Sequence, residues 1–414
     1  MSFSSLGLSD SINKALLELE YHTPTAIQAE AIPSVLQGRD LLAAAETGSG
    51  KTAAFALPLL EQLAAEHPPQ GNLVSALVLV PTRELASQVE EAFRMYARHL
   101  PRKVKTLAIY GGVSINTQMQ AMRGGRDIVV ATPGRLIDLM ERNAVDLRAV
   151  RTLVLDEADR MLDLGFADEL DEILDELPIK RQNLLFSATF PQAVTSLTQA
   201  LLTDPVKIEI KQTRQIPESL IQRAIEVDRS NRTMLLKHLL QNNSWSQVLV
   251  FTASKRTANN VEMKLYRANI DAQTLHGDLT QTERTQALKD FKSGRCRILI
   301  ATDLAARGID IPNMPCVINY DLPRSTADYV HRVGRTARAG ETGEALSFVD
   351  HESDAHFKLI EKRTAQTISR EQITGFERAK DPPQGLTAQK GKAPVKGKRK
   401  SKKDKLREAA ARKA

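Results

Sequence analysis

The chain repeats a strand–turn–helix pattern at an offset of 170 residues. VLVPTRELASQVE begins at Val78, and the similar VLVFTASKRTANNVE begins at Val248. DIVVAT, which ends at Thr132, is matched by RILIAT, which ends at Thr302, and YGG and LHG occupy corresponding places between these pairs. Three matches in the same order are hard to obtain by chance. The repeat therefore predicts two tandem domains of similar topology.

Each half of the chain alternates short apolar strands with helical segments. The runs LVSALVLV, TLVLD and NLLFSA in the first half, and QVLVFT, RILIAT and EALSFV in the second, are apolar on consecutive residues. Such runs are typical of parallel strands that helices cover on both faces. A length of 414 residues suits two or three domains. We predict two α/β domains joined near residues 204–219, where helical periodicity is missing and two prolines occur.

The charge is unevenly distributed along the chain. Residues 379–414 carry 13 Lys/Arg and 3 Asp/Glu, a balance of +10, whereas residues 1–378 carry 44 and 47, a balance of −3. The stretch KGKAPVKGKRKSKKDK has almost no large apolar residue and cannot bury enough surface to fold alone. We predict a basic, largely disordered C-terminal tail that attracts polyanions. A solubilising or localising role is the alternative.

Composition favours a reduced, cytoplasmic protein. No apolar stretch approaches the roughly 20 residues of a membrane span. The start, MSFSSLGLSDSINK, lacks the basic and apolar regions of a secretory signal. Cys296 and Cys316 match no zinc or disulfide framework, and the eight histidines form no H-x-x-x-H zinc signature.

A glycine-rich turn in AAAETGSGKT precedes the apolar helix TAAFALPLLEQL. Glycines in such a turn let backbone N–H groups surround phosphate oxygens, a lysine reaches the β/γ-phosphates, and a Thr hydroxyl binds Mg²⁺. The turn therefore predicts an ATP site. Its candidate residues are Thr47, Gly48, Ser49, Gly50, Lys51 and Thr52. Ala45 stands where the strict pattern has glycine, and an ordinary strand-to-helix turn is the alternative.

Three carboxylates follow the apolar strand in LVLDEADRML. Asp156 lies where the strand ends and can hold Mg²⁺, usually through water, while Glu157 can orient or deprotonate the water that attacks the γ-phosphate. Asp159 suits either a conformational coupling role or an ordinary acid in the first turn of a helix. Ligands bind outside the carboxyl ends of strands in such sheets, which supports a joint site with the glycine-rich turn.

The second half has no Gly-Lys-Thr, so we expect one ATP site to serve both domains. It carries instead HRVGRTARAG, with three arginines spaced three residues apart. Arginines brought against a γ-phosphate across a domain cleft make hydrolysis depend on closure. Arg335 and Arg338 are the candidates, and a solvated basic surface is the alternative.

These motifs together resemble the DEAD-box ATP-dependent RNA helicases. The resemblance lies in DEAD, SAT, PTRELA, TPGR, ATDLAARGID and HRVGRTAR, in family order across residues 1–350. FSSLGLS, GGVSIN, RQNLLFSATF and QVLVFT look most like the bacterial RhlE-type branch. The resemblance implies two RecA-like domains with parallel sheets flanked by helices. The implied bounds are 1–205 for the ATP-binding domain with its Q motif, 206–218 for a linker, 219–365 for the second domain and 366–414 for the tail.

The resemblance also implies roles for individual residues, with ATP and Mg²⁺ as cofactors. The catalytic residues would be Lys51, Asp156, Glu157, Arg335 and Arg338, and Thr52 and Asp156 would hold the metal. Beyond the glycine-rich turn, the nucleotide would be bound by Phe3, Tyr21, Gln28, Gly308 and Asp310. RNA would be bound by Pro81, Thr82, Arg83, Gly112, Thr132, Arg135, Arg284 and Thr302. Nucleotide state would be coupled to strand separation through Asp159, Ser187, Thr189 and His331.

The implied partner is RNA, structured or duplex, held mostly through sugar and phosphate, which lets the body remain slightly acidic. An ATP-gated RNA clamp is an alternative function, and a DNA-translocating motor is disfavoured by the Q motif. Ribosomal precursors and RNA-decay proteins are open as further partners. Two residues depart from the family pattern: Glu20 and Ala337 each replace a usual glycine.

Overall fold

The structure is a computed structural model that describes residues 2–45, 49–209, 219–306, 314–337 and 342–379. The first domain begins with a 3₁₀ helix, Phe3–Leu6. Its strands are β1 (Leu41–Ala44), β2 (Val74–Leu79), β3 (Thr106–Ile109), β4 (Arg126–Ala131), β5 (Thr152–Leu155), β6 (Gln182–Ser187) and β7 (Val206–Glu209). Its helices are α1 (Asp10–Glu18), α2 (Ala26–Leu36), α3 (Lys51–Ala64), α4 (Arg83–Tyr96), α5 (Ile115–Met122), α6 (Pro133–Met140), α7 (Ala158–Asp163), α8 (Ala167–Asp175) and α9 (Gln192–Leu201).

The second domain has the same alternation of elements. Its strands are β8 (Leu220–Glu226), β9 (Val248–Thr252), β10 (Gln273–Leu275), β11 (Ile298–Thr302), β12 (Cys316–Asn319), β13 (Gly343–Val349) and β14 (Arg370–Glu371). Its helices are α10 (Arg232–Asn242), α11 (Lys255–Tyr266), α12 (Gln281–Lys292), α13 (Asp303–Ala306), α14 (Thr326–Val333) and α15 (Asp354–Thr364).

Within the described residues, each domain contains one seven-stranded sheet, and the two strand orders are equivalent. The first sheet runs β3-β4-β2-β5-β6-β1-β7 and the second β10-β11-β9-β12-β13-β8-β14. Neighbouring strands pair in parallel throughout, as in β2 with β5 and β9 with β12. The tandem fold predicted from the repeat is therefore confirmed.

Helices cover both faces of each sheet, and this explains the continuous apolar runs. Every residue of β2, β5 and β9 is buried. In the first domain Val78 and Val154 belong to one apolar cluster, while Leu77 and Leu153 belong to the cluster on the opposite face. Parallel sheets place all their carboxyl ends at one edge, so the loops after β1, β5 and β6 can share one site.

Both expected boundaries are extended by ordered strands. β7 pairs with β1, so residues 206–209 belong to the first sheet rather than to the linker. β14 pairs with β8, and Ile373 and Phe376 pack against the second domain's core. Residues 366–379 are therefore part of this domain, whereas the tail beyond Ala379 lies outside the described residues.

The chain's remaining compositional expectations concern cysteines and membranes. Cys296 and Cys316 are buried free thiols. In the described ranges, the structure contains no helix with both the length and the apolar character to cross a membrane.

Candidate active site

A cleft of about 710 Å³ lies where the two domains meet, at the carboxyl edge of the first sheet. The first domain contributes the start of α3, the end of β5 and the N-terminal segment, and the second contributes α12 and α14–β13 residues. The sequence-predicted residues that line it are Phe3, Tyr21, Gln28, Gly50, Lys51, Thr52, Asp156, Glu157 and Arg335. The fold therefore assembles the predicted ATP-site residues from both halves of the chain.

Lys51 and Asp156 face each other on the cleft wall. Lys51 Nζ lies 3.8 Å from Asp156 Oδ1, and both side chains are almost fully buried. Lys51 Nζ has no hydrogen-bond partner among the described residues. Burial raises the pKa of Asp156 to about 6, the Lys51 ammonium opposes this shift, and the Glu157 carboxylate adds to it. A buried ammonium without a hydrogen bond and a carboxylate that resists ionisation suit a site completed by phosphate and a divalent cation.

Metal ligands fit this wall in one way only. No group of three or more His, Cys, Asp or Glu side chains gathers to hold a metal ion in the part of the chain that the structure describes. Thr52 and Asp156 both line the cleft, and they supply two oxygens. Mg²⁺ commonly binds one or two protein oxygens together with substrate phosphates and water, so this small donor set is chemically adequate.

Glu157 is held in an unusual backbone conformation. Its φ of 54° and ψ of 50° lie in the left-handed region, which costs a non-glycine residue roughly 1–2 kcal/mol. Its N–H donates to Asp156 Oδ1 at 2.9 Å, and its Oε2 accepts from Arg160 Nη1 at 3.1 Å. Glu157 and Arg160 are both buried. Strain of this kind persists where the surroundings fix a functional side chain.

Gln28 connects the N-terminal segment to the glycine-rich turn. Its Oε1 accepts from Thr25 N at 2.9 Å and its Nε2 donates to Gly50 O at 3.1 Å. Gly50 has a φ of 92°, and a β-carbon there would overlap Gln28 Nε2. An amide has two donors and two acceptor lone pairs, so each end of Gln28 retains capacity for an adenine edge.

Two aromatic residues line the same part of the cleft. Phe3 is buried, whereas Tyr21 is 41% exposed and its ring centroid lies 6.2 Å from that of Tyr96. Glu20, just before Tyr21, has a φ of 60°. This left-handed conformation explains why glycine is usual at this position.

Asp159 links the carboxylate motif to the Ser-Ala-Thr motif. Asp159 Oδ2 accepts from Thr189 N at 3.0 Å and from Thr189 Oγ1 at 2.6 Å. Ser187 Oγ in turn donates to Thr189 O at 2.7 Å. These bonds support a coupling role for Asp159 over that of an ordinary first-turn acid.

The arginine motif in the second domain is partly built into that domain. Arg335 is 6% exposed and reaches the cleft, and His331 lies on the last turn of α14. Arg332 donates to both carboxylate oxygens of Asp303, at 2.6 and 2.7 Å, and lies over the ring of Phe251. Arg332 therefore acts as an internal brace that holds its neighbours in place.

The first half of the predicted RNA path begins at α4. Thr82 Oγ1 caps this helix by accepting from Leu85 N at 3.3 Å. Arg83 lies over the Gly111–Gly112 turn, where Gly112 has a φ of 84° and a β-carbon would overlap the guanidinium. Pro81 is buried directly before them.

Thr132 and Arg135 lie farther along the same edge of the first sheet. Thr132 is the N-cap residue of α6, directly after β4, and is buried. Arg135 Nη1 donates to Val113 O and to Gln118 Oε1, each at 3.0 Å. Arg135 thus braces the loop that follows Gly112, and its bonding groups are largely used within the domain.

The second half of the path differs from expectation at Arg284. Its Nε donates to Glu84 Oε1 of the first domain at 2.7 Å. Thr302 is the half-buried last residue of β11. Five predicted site residues lie outside the described residues, namely Thr47, Gly48, Gly308, Asp310 and Arg338.

Comparisons with known proteins agree with this geometry. A family described as DEAD/DEAH box helicase matches residues 25–197, and one described as helicase conserved C-terminal domain matches residues 231–340. The DEAD-box ATP-dependent RNA helicase CshA of Bacillus cereus is 39% identical over 94% of this chain and 73% of its own length. The chain belongs to the DEAD-box ATP-dependent RNA helicases.

Other similar proteins support the assignment of this DEAD-box helicase. The RNA helicase CrhR of Synechocystis is 40% identical over 89% of this chain and 73% of its own length. Among solved structures, S. cerevisiae Dbp5 bound to RNA and ADP BeF3 is 33% identical, with a TM-score of 0.78, and covers 90% of this chain and 95% of that chain.

Sequence reasoning missed three residues of this DEAD-box helicase site. Arg160 holds Glu157, Glu84 holds Arg284, and Arg332 braces Asp303. The first could have been found from its position three residues after Glu157 on a helix. The other two pairs join residues 200 and 29 positions apart, and no local pattern indicates them.

Proposed function

We propose that this DEAD-box helicase hydrolyses ATP in the interdomain cleft and uses the resulting domain movement to separate short RNA duplexes or remodel RNA–protein complexes. The observation that carries the proposal is the meeting of Lys51, Asp156 and Glu157 from the first domain with Arg335 from the second in one cleft. A site divided between two domains is complete only when they approach each other.

Each group has one chemical task in hydrolysis. Lys51 binds the β/γ-phosphates, and Thr52 and Asp156 hold Mg²⁺, which neutralises phosphate charge when bound. Glu157 accepts the proton of the attacking water. Arg335 stabilises charge on the γ-phosphoryl group, and the family resemblance assigns the same task to Arg338.

Nucleotide choice depends on the N-terminal segment. Gln28 reads the adenine edge with the donor and acceptor that its bonds to Thr25 and Gly50 leave available. Phe3 and Tyr21 pack beside the base, and the family resemblance adds Gly308 and Asp310 from the second domain. Because Gln28 also contacts Gly50, adenine binding is communicated directly to the phosphate-binding turn.

RNA is followed along its backbone. Pro81, Thr82, Arg83, Gly112, Thr132 and Arg135 lie at the carboxyl edge of the first sheet, and Thr302 and Arg284 belong to the second domain. Hydroxyls, backbone amides and arginines bind phosphate and sugar without reading sequence. Asp159, Thr189 and Ser187 connect this edge to the nucleotide, and His331 joins the link from the second domain.

Finer assignments rest on the motifs alone. FSSLGLS, GGVSIN and RQNLLFSATF support the bacterial RhlE-type branch, with the cytoplasm as the site of action. Ribosomal precursors and RNA-decay complexes are suitable partners for an enzyme that grips RNA without base preference. The basic tail supplies additional, salt-sensitive RNA affinity.

The test combines two assays on the full chain. ATP turnover is measured with and without RNA, and strand displacement is measured on a short duplex with ATP. RNA-stimulated turnover accompanied by displacement supports the helicase. Turnover without displacement would favour the ATP-gated RNA clamp, and turnover that ignores RNA would contradict both.

A further inference from the structure

One buried ion pair joins the two domains beside the RNA path. Glu84 lies in the first turn of α4, and Arg284 lies near the start of α12 in the other domain. Arg284 Nε donates to Glu84 Oε1 at 2.7 Å, and the two side chains are only 12% and 6% exposed. In separated domains each group would face water, so this desolvated pair requires the domains to meet.

Both partners stand on firmly fixed helix starts. Thr82 caps α4, and the helix dipole favours a carboxylate in the first turn. Thr280 and Glu283 form a reciprocal capping box at the start of α12. The pair therefore connects two rigid elements rather than two flexible loops, and its geometry is set by how the domains dock.

The bonding of Arg284 leaves most of its guanidinium available. Arginine carries five N–H donors in a planar fork. Only Nε has a hydrogen-bond partner among the described residues, and that partner is Glu84. A carboxylate that fixes Nε sets the plane of the fork and leaves the two Nη groups to bind a phosphate.

We propose that Glu84 is a positioning residue for RNA binding: its carboxylate, on the first domain, orients Arg284 of the second domain toward an RNA phosphate. The inference rests on the proposed function. Glu84 directly follows Arg83, which lies over Gly112 on the predicted RNA path. A strand on that path and the Arg284 guanidinium are thereby brought together only in the closed arrangement, which couples RNA affinity to closure.

A double-mutant cycle tests the pair. Glu84→Ala, Arg284→Ala and the double variant are compared with the parent for the RNA concentration that half-maximally stimulates ATP turnover, and for kcat at saturating RNA. Each single variant should raise that RNA concentration on the order of tenfold, and the double variant should be no worse than the worse single. Effects that multiply would show that Glu84 and Arg284 act independently and would overturn the proposal.

Controls separate positioning from loss of fold. Glu172→Ala, on exposed α8 of the same domain, should leave both parameters unchanged. Glu84→Gln keeps an acceptor of the same shape and should give an intermediate effect, with an unfolding midpoint like that of the parent. If Glu84→Gln folds and behaves like the parent, the charge of Glu84 does not matter and the proposal is wrong.

A charge exchange separates positioning from a simple latch. In the variant that combines Glu84→Arg with Arg284→Glu, the ion pair can reform but residue 284 can no longer bind phosphate. We expect kcat to recover while the half-maximal RNA concentration stays raised. Recovery of both, or of neither, would contradict the proposal. A parent without RNA-stimulated turnover would instead contradict the proposed function itself.

Discussion

In each domain, the helix that follows the sixth strand of the sheet begins with a buried cation: Lys51 of α3 after β1, and Arg232 of α10 after β8. Two residues past the end of the fourth strand, each domain also carries a carboxylate, Glu157 in the first and Asp321 in the second. The two sites occupy equivalent places in one topology. What differs is how their polar groups are satisfied.

The cation of the second domain is fully engaged by protein. Arg232 donates to Asp321 Oδ1 at 2.7 Å and to Asp350 Oδ2 at 2.6 Å. Lys51, by contrast, approaches Asp156 only to 3.8 Å and has no hydrogen-bond partner among the described residues. The first domain keeps a polar site for a ligand, whereas the second has closed the equivalent site with its own side chains.

The carboxylates of the two sites reflect this difference. Burial raises the pKa of Asp156 to about 6. Burial also acts to raise the pKa of Asp350, but the hydrogen bond from Ser353 and the charge of Arg232 outweigh it and hold this pKa below its ordinary value. Strand order alone therefore does not make a nucleotide site. Polar groups left unsatisfied at the carboxyl edge do.

The largest expected effect breaks the comparison at its two cations. Arg232→Met should destabilise the protein by about 3–5 kcal/mol, because it leaves Asp321 and Asp350 without their partner in a buried site. Lys51→Met should change stability by less than about 1 kcal/mol, because Lys51 makes no hydrogen bond to lose. Urea unfolding of the two variants measures both. Equal losses would mean that Lys51 braces the first domain as Arg232 braces the second.

The next effect concerns chemistry at the two equivalent carboxylates. Glu157→Gln should bind ATP and RNA but turn over ATP at least ~10²-fold more slowly, the lower range for loss of a general base. Asp321→Asn is the matched control, and per folded molecule it should retain turnover within about threefold, since its partner Arg232 lies outside the cleft lining. RNA-stimulated turnover close to that of the parent in Glu157→Gln would remove Glu157 from the base role.

Sequence reasoning could predict the parts of this site that lie close together in the chain. The repeat predicted two domains, and the glycine-rich turn and carboxylate strand predicted one ATP site. It failed where the repeat offset drifts: shifting Lys51 by 170 residues lands inside β8, whereas the structural counterpart is Arg232. The closed Arg232 site depends on residues about 90 and 120 positions away, and only the fold brings these together.

A third effect sharpens the contrast between the carboxylates through pH. Since the pKa of Asp156 is about 6 rather than 3.8, the nucleotide-free protein binds the extra proton, and this group's contribution to stability falls as the pH rises from about 4 to 6. Binding of Mg²⁺ and ATP needs the ionised form. Affinity should therefore rise by up to about tenfold per pH unit below 6 and level off above it.

Calorimetry of Mg²⁺–ATP binding in two buffers of different ionisation enthalpy measures the proton release. ATP titrates in the same range, so Asp156→Asn provides the baseline. The parent should release more protons than this variant at pH 5.5 and about the same number at pH 8. Equal release at pH 5.5 would assign the titration to the nucleotide alone.

The smallest effect compares two strained residues, one in each domain. Glu20 has a φ of 60° and Ala337 a φ of 55°, and in both the left-handed backbone favours glycine. Glu20 is exposed, and Tyr21 N donates to Leu16 O across the end of α1, so its glycine variant gains backbone relief without losing buried surface. Glu20→Gly should stabilise the protein by about 0.5–1 kcal/mol, the left-handed penalty less the added entropy of the unfolded chain.

Ala337 is 2% exposed, so Ala337→Gly also removes a buried methyl group worth about 0.8 kcal/mol. The two terms nearly cancel, and we expect a change of about zero in the free energy of unfolding. Urea unfolding of both variants side by side measures the difference. A loss of stability in Glu20→Gly would show that its carboxylate makes a stabilising contact that outweighs the backbone strain. A clear gain in Ala337→Gly would show that the Ala337 methyl group is not well packed, and that glycine suits this turn of the second domain as well as it suits the first.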